Sequence, residues 1–225
     1  MHYANSMNSG IVTGIDRSLI EKFEKALLAM DGVSARRIFA RGVESDGALP
    51  CMERLVGPVL DRIGEEWEAG RLALSQVYMA GRICEELTLA IMPDGSPERK
   101  GDPSLALAVF EDRHMLGKRM VHAVLRDEGY AVADWGHVDL GSAVERLRAE
   151  PVDILLLSCL MLGSALRIGR LREAIEAEGF PVKLVVGGAP FRFDPGLWRE
   201  VGADAMGGTA SLAPAIVREL SGGRL

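Results

Sequence analysis

A histidine with a carboxylate two residues before it, His114 after Asp112, stands directly behind the apolar run Leu105-Ala106-Leu107-Ala108-Val109-Phe110. An imidazole can ligate a metal through one ring nitrogen while a carboxylate holds the other N–H, which fixes tautomer and basicity. The full segment is Glu111-Asp112-Arg113-His114-Met115-Leu116-Gly117. The apolar run reads as a strand, so the pair sits at a strand's carboxyl end. In an open α/β sheet, ligands bind at that edge.

Three later segments carry groups that could join the pair. Ser158-Cys159-Leu160-Met161-Leu162-Gly163-Ser164 brings two hydroxyls. Gly187-Gly188-Ala189-Pro190 and Met206-Gly207-Gly208-Thr209 each bring a glycine pair. Glycine lets backbone approach a bulky ligand closely and take positive φ.

The positioning elements follow from periodicity. Strands are expected over Leu105–Phe110, Ala131–Asp134, Asp153–Ser158, Lys183–Val186 and Ala203–Met206. Helices are expected over Leu116–Glu128, Ser142–Ala149, Ser164–Glu178, Pro195–Val201 and Ser211–Leu220. Five βα units imply a parallel sheet covered on both faces. All four loops named above should then share one edge of it.

The first part of the chain has a different texture. Ser18-Leu19-Ile20-Glu21 reads as a capping box, and Ile20, Phe23, Leu27 and Met30 follow at helical spacing. Asp31-Gly32 breaks that helix, and a second, from about Val33 to Arg41, closes at Gly42. A third opens at Leu49-Pro50, with Val56, Val59, Leu60, Ile63 and Trp67 on one face, and stops at Ala69-Gly70. A fourth runs from about Ser75 to Ile91, with Val77, Cys84 and Ile91 spaced by sevens. Four amphipathic helices with short connections make a small bundle. The expected organisation is a flexible start over 1–16, a helical cap domain over 17–92, a Pro/Gly linker over 93–103 and an α/β domain over 104–225. Three prolines and two glycines in the linker cannot continue a helix or pack a core.

Composition excludes some classes. The 225 residues are 48% hydrophobic, with a formal net charge of -6 and a pI near 5.3. An acidic surface argues against nucleic acid as main partner. No apolar run is long enough to span a membrane, and the N-terminus has no signal-peptide pattern; a cytoplasmic location is expected. Cys51, Cys84 and Cys159 are odd in number and widely spaced, so they read as reduced core thiols. Met30, Met52, Met79 and Met92 read as core filling. His2, His122 and His137 have no setting like that of His114.

The three motifs in order, Asp112-Arg113-His114-Met115-Leu116-Gly117, Ser158-Cys159-Leu160 and Gly187-Gly188, behind a four-helix region, resemble the cobalamin-binding region of methionine synthase and the corrinoid proteins of methyltransferase systems. The resemblance implies a helical cap ahead of a flavodoxin-like, doubly wound, five-stranded parallel sheet. His114 would replace the cofactor's own base as lower axial ligand of cobalt. Asp112 would accept the other imidazole N–H and Ser164 would extend that relay. Arg113, Met115, Leu116 and Gly117 would lie against the cofactor. Ser158 and Leu160 would line a buried slot for its displaced nucleotide tail, with Leu162 among the cofactor contacts. Gly187 and Gly188 would let the tail pass, and Met206, Gly207, Gly208 and Thr209 would close the slot. Trp67 and Tyr78 would cover the upper face.

The same resemblance implies a role: a methyl carrier loaded by a substrate-specific methyltransferase and unloaded by a second one. The acceptor would be a carrier such as tetrahydrofolate or coenzyme M, with a reductive activase as a third partner. The cofactor would be methylcobalamin, hydroxocobalamin or a related corrinoid. The rival reading is a cobalamin-dependent sensor acting through a separate output protein. Related photoreceptors carry a Glu-His pair where this chain has Val77-Tyr78, which favours the carrier. Ser158 and Ser164 have a plainer alternative as caps of the following helix. A receiver domain would need an aspartate where Ser158-Cys159 stands.

Overall fold

The computed structural model describes residues 14–91 and 103–222. The chain divides between Leu87 and Thr88 into two compact units. Nearly all of the expected flexible start and of the expected linker lies outside the described residues.

The first unit is helical. Helix α1 is Arg17–Leu28; Asp16 caps it by accepting from the Leu19 N–H at 2.7 Å, so Ser18 lies inside the helix. It buries Leu19, Phe23, Ala26 and Leu27, whereas Met30 lies past its end in a left-handed conformation. Helix α2 is Gly32–Asp46, and it runs through Gly42 rather than stopping there. A Cβ on Gly42 would stand 2.8 Å from the Cys51 sulfur, so this glycine allows close packing on α3, Ala48–Cys51. A π-helical turn, Met52–Val56, then leads into α4, Gly57–Glu68. Pro58, which has no N–H to donate, is the second residue after that turn. Helix α5, Leu74–Leu89, buries Ala80, Ile83, Cys84 and Leu87, while Val77 and Ile91 are only half-buried. No helix among the described residues is long and apolar enough to cross a membrane.

The second unit alternates strands and helices. The strands are β1 Leu105–Phe110, β2 Val132–Val138, β3 Ile154–Ser158, β4 Lys183–Gly187 and β5 Ala205–Gly207. All neighbours pair in parallel, in the order β2-β1-β3-β4-β5. The helices are α6 Leu116–Asp127, α7 Leu140–Ala149, α8 Leu162–Glu178, α9 Ala189–Phe193, α10 Leu197–Glu200 and α11 Ala213–Leu220. Side chains alternate across the sheet. Ala106, Ala108, Phe110, Leu155, Leu157, Leu184 and Val186 face α7 and α8; Leu105, Leu107, Ile154, Leu156 and Val185 face α6 and α11. That explains the unbroken apolar runs: both faces are covered.

Strand β2 extends past the expected Asp134 because of a bulge. Trp135 is the extra residue between the Leu107–Asp134 and Ala108–Gly136 pairs. Gly136 takes φ +67° there, and its N–H donates to Asp134 at 2.7 Å. The buried Lys118 ammonium pairs with the same carboxylate.

Asp204 locks the opposite end of the sheet. It accepts from the Leu184 N–H at 2.8 Å and from Lys183 at 2.9 Å, and it pairs with Arg172. Burial alone would raise its pKa, but the Leu184 amide, Lys183 and Arg172 outweigh that and hold the carboxyl below its ordinary 3.8. A folded value below the unfolded one means that the stabilisation is complete above 3.8 and is lost as pH falls through the folded value. Asp204→Asn should therefore cost about 1–2 kcal/mol at neutral pH, with the deficit shrinking in acid. Urea unfolding between about pH 3 and pH 7 reads this difference; a pH-independent deficit would reject the assignment.

Candidate functional site

Winding reverses between β1 and β3, the point at which a sheet of this strand order opens a crevice at its carboxyl edge. The chain leaves β1 through Glu111, whose φ of +46° is rare for a residue with a side chain. Three contacts hold that conformation. The Glu111 N–H donates to the Val138 carbonyl at 2.8 Å, its own carbonyl accepts from the Ser164 hydroxyl at 2.8 Å, and its carboxylate pairs with the Arg167 guanidinium.

The next residue, Asp112, is the anchor. Its side chain is 1% exposed, against 50% for His114. Oδ2 accepts from the backbone N–H of Leu160 and Met161 at 2.7 and 2.9 Å. Oδ1 accepts from the N–H of Arg113 at 2.6 Å and of His114 at 3.2 Å, and faces His114 Nδ1 at 2.5 Å. Burial works against the charge, but the bonds from His114, Met161 and Leu160 outweigh it and hold the carboxyl well below the usual carboxylate range. An ionised carboxylate only accepts, so Nδ1 carries the proton. Nε2 is then the nitrogen that would ligate a metal.

Backbone packing explains the glycines. A Cβ on Gly117 would stand 2.9 Å from Ser158 Oγ, so this glycine lets α6 close over the end of β3. Gly187 accepts from the Cys159 N–H at 3.0 Å, and a Cβ on it would stand 3.1 Å from the Gly207 carbonyl oxygen. Gly188, at φ +118°, lies hard against the Cys159 carbonyl. Thr209 starts a short 3₁₀ turn, Ala210–Leu212, and its hydroxyl meets Ser211 at 2.9 Å. Thus Asp112, His114, Gly117, Ser158, Leu160, Gly187, Gly188 and Gly207 do gather at one edge.

Some expected roles change. The Ser164 hydroxyl donates a hydrogen bond to the Glu111 carbonyl, so it braces the β1 loop instead of extending the relay from Asp112. Neither does it cap α8, whose first turn follows Met161 without a side-chain cap. Leu160 contributes its amide to Asp112, while its side chain, like those of Met161 and Leu162, is exposed at the rim. Trp67 and Tyr78 belong to the helical unit and are 40% and 64% exposed. Sequence alone does not point to the Met161 amide, Glu111 or Arg167 as site groups. Arg167 lies far from Glu111 in sequence, and no local pattern links them. All three thiols are buried, which pushes each up to about 12, as core fillers rather than ligands. Among the described residues no three His, Cys, Asp or Glu side chains gather as a metal-holding group.

A doubly wound sheet presenting a carboxylate-held imidazole at its switch point defines a binding protein for a metal-centred cofactor. Two family models, each described as a B12 binding domain, match residues 104–217 and 19–90. The chain is 30% identical over 176 residues to dimethylamine corrinoid protein 1 of Methanosarcina acetivorans, covering 75% of this chain and 81% of that protein. It is 26% identical over 212 residues to the trimethylamine corrinoid protein of Methanosarcina barkeri, covering 89% and 95%. The solved structure of the Methanosarcina barkeri monomethylamine corrinoid protein shares the fold, with a TM-score of 0.77 at 23% identity, covering 92% of this chain and 100% of that one. The chain belongs to the B12-binding family of corrinoid proteins.

Proposed function

We propose that this protein is a methyl carrier that holds its corrinoid with the cofactor's own base displaced and His114 in its place below cobalt. The observation that carries the reading is the Asp112–His114 pair: a buried, fully engaged carboxylate fixing a half-exposed imidazole at the edge where ligands bind. One imidazole is too few donors for a bare metal ion. It suits a metal already ringed by a macrocycle, and the glycines at 117, 187 and 188 let the strand ends and α6 that form that edge pack closely behind it.

When bound, the corrinoid supplies cobalt able to accept and release a methyl group. The protein's own part is positioning and tuning. Asp112 Oδ1 keeps the proton on Nδ1 and so keeps Nε2 basic. The amides of Leu160 and Met161 keep Asp112 ionised and immobile. Arg113, Met115, Leu116, Ser158, Leu162, Gly208, Met206 and Thr209 would complete the contact set. A substrate-specific methyltransferase would load the carrier, a second would pass the methyl to tetrahydrofolate or coenzyme M, and a reductive activase would restore it. Because the relatives are named for methylamines, a methylated amine is the donor class to test first.

The deciding experiment labels the protein's histidines with ¹⁵N and loads it with cob(II)alamin. Electron paramagnetic resonance should show nitrogen coupling that changes with the label and vanishes in His114→Ala. Coupling that ignores the label would mean that the cofactor keeps its own base, and would reject the proposal.

A further inference from the structure

We infer that the Glu111–Arg167 ion pair is a positioning clamp that sets how firmly His114 can engage cobalt. The inference rests on the reading of His114 as axial ligand. Glu111 holds a backbone conformation in which glycine would be relaxed and a side chain is strained. Such strain persists only where surrounding contacts over-determine it. Two of the three contacts at Glu111 are made by its backbone, to Val138 and from Ser164, and a glycine would keep both. The carboxylate adds one thing, the tie to Arg167.

That tie completes a seam. Helix α8 follows the two residues whose amides grip Asp112 Oδ2. The same helix carries Ser164, bonded to the Glu111 carbonyl, and Arg167, paired with the Glu111 carboxylate. The loops after β1 and β3 are thus joined through two adjacent residues, Glu111 and Asp112, the second of them two positions ahead of His114. The position of a Cβ on Gly163 is 3.5 Å from an Arg167 guanidinium nitrogen, so the arginine lies back along the first turn of α8. Both partners are partly exposed, so the pair is a modest tie whose loss should loosen the loop without unfolding it.

The test uses the full chain loaded with cob(II)alamin, in wild type, Glu111→Gln, Arg167→Met, Glu111→Gly and the exchange pair E111R/R167E. Two quantities are read: the ratio of histidine-ligated to unligated cobalt, from nitrogen coupling, and the thermal midpoint. The ratio should fall about threefold in Glu111→Gln and Arg167→Met, with midpoints near wild type. Glu111→Gly should lower the ratio equally while matching or exceeding the wild-type midpoint, because strain is relieved; it keeps the test sharp should another variant fold poorly. The exchange pair should recover part of the ratio. An unchanged ratio in the single variants, a ratio that merely tracks the midpoint, or no recovery in the exchange pair overturns the clamp. Wild type without protein-derived coupling overturns the axial-ligand reading and the clamp with it, and is recognisable before any variant is made.

Discussion

Gly188→Ala is expected to destabilise the α/β unit by about 3–5 kcal/mol and to abolish corrinoid retention with it. Gly188 combines φ +118° with ψ -179°, a region that is essentially closed to side chains. A Cβ there would stand 1.8 Å from the Cys159 carbonyl oxygen and 2.9 Å from its carbon. Those are backbone atoms, and they cannot swing aside. Cys159 is fixed by its N–H to the Gly187 carbonyl at 3.0 Å, and its buried thiol lies 3.7 Å from the Phe110 carbonyl. Relieving the clash therefore means parting β3 from β4 at the very edge that carries the site. Gly208→Ala is the matched control: beyond its chain neighbours no atom lies within 4 Å of that position's Cβ, so it should fall within about 0.5 kcal/mol of wild type. Urea unfolding of both variants checks the contrast. A Gly188→Ala protein within about 1 kcal/mol of wild type would mean that the strand ends are packed differently.

Those two glycines also show where the sequence is legible and where it is not. Both sit in Gly-Gly pairs after a strand, so pattern alone grades them equally. Only the distance to a neighbouring backbone separates a mandatory glycine from a tolerant one. Strands β1, β3 and β4 were readable because double burial forces continuous apolar runs, and the order of loops along one edge follows from parallel pairing. The full extent of β2 was hidden, since the bulge at Trp135 inserts a residue that breaks period two. Gly42 reads as a stop because propensity is local, whereas its reason lies in the Cys51 sulfur on the next helix. Asp112 and His114 were legible because they are neighbours. Ser164 was misjudged for the converse reason: its partner is a carbonyl, and carbonyls leave no mark in a sequence. The Glu111–Arg167 pair is invisible in the sequence because its members lie 56 residues apart.

The chemistry at Asp112 and His114 should split into two phenotypes that share one defect. Asp112→Asn is expected to cost about 2–4 kcal/mol of stability, and His114→Ala less than about 1 kcal/mol, although both should lose histidine ligation of cobalt. Each carboxylate oxygen of Asp112 is met by donors: two backbone N–H groups on Oδ2, and two more with the imidazole on Oδ1. An amide must turn its NH₂ toward one of those sets, so either orientation opposes donor to donor and strands buried N–H groups. Removing the imidazole leaves every backbone N–H satisfied, and its half-exposed ring buries little. Chemical unfolding with cob(II)alamin resonance on the same samples separates the cases. If Asp112→Asn proved as stable as His114→Ala, the carboxylate would be an orienting group alone. The structure argues for more, because the residue that tunes the imidazole is also the one that joins the loops of β1 and β3.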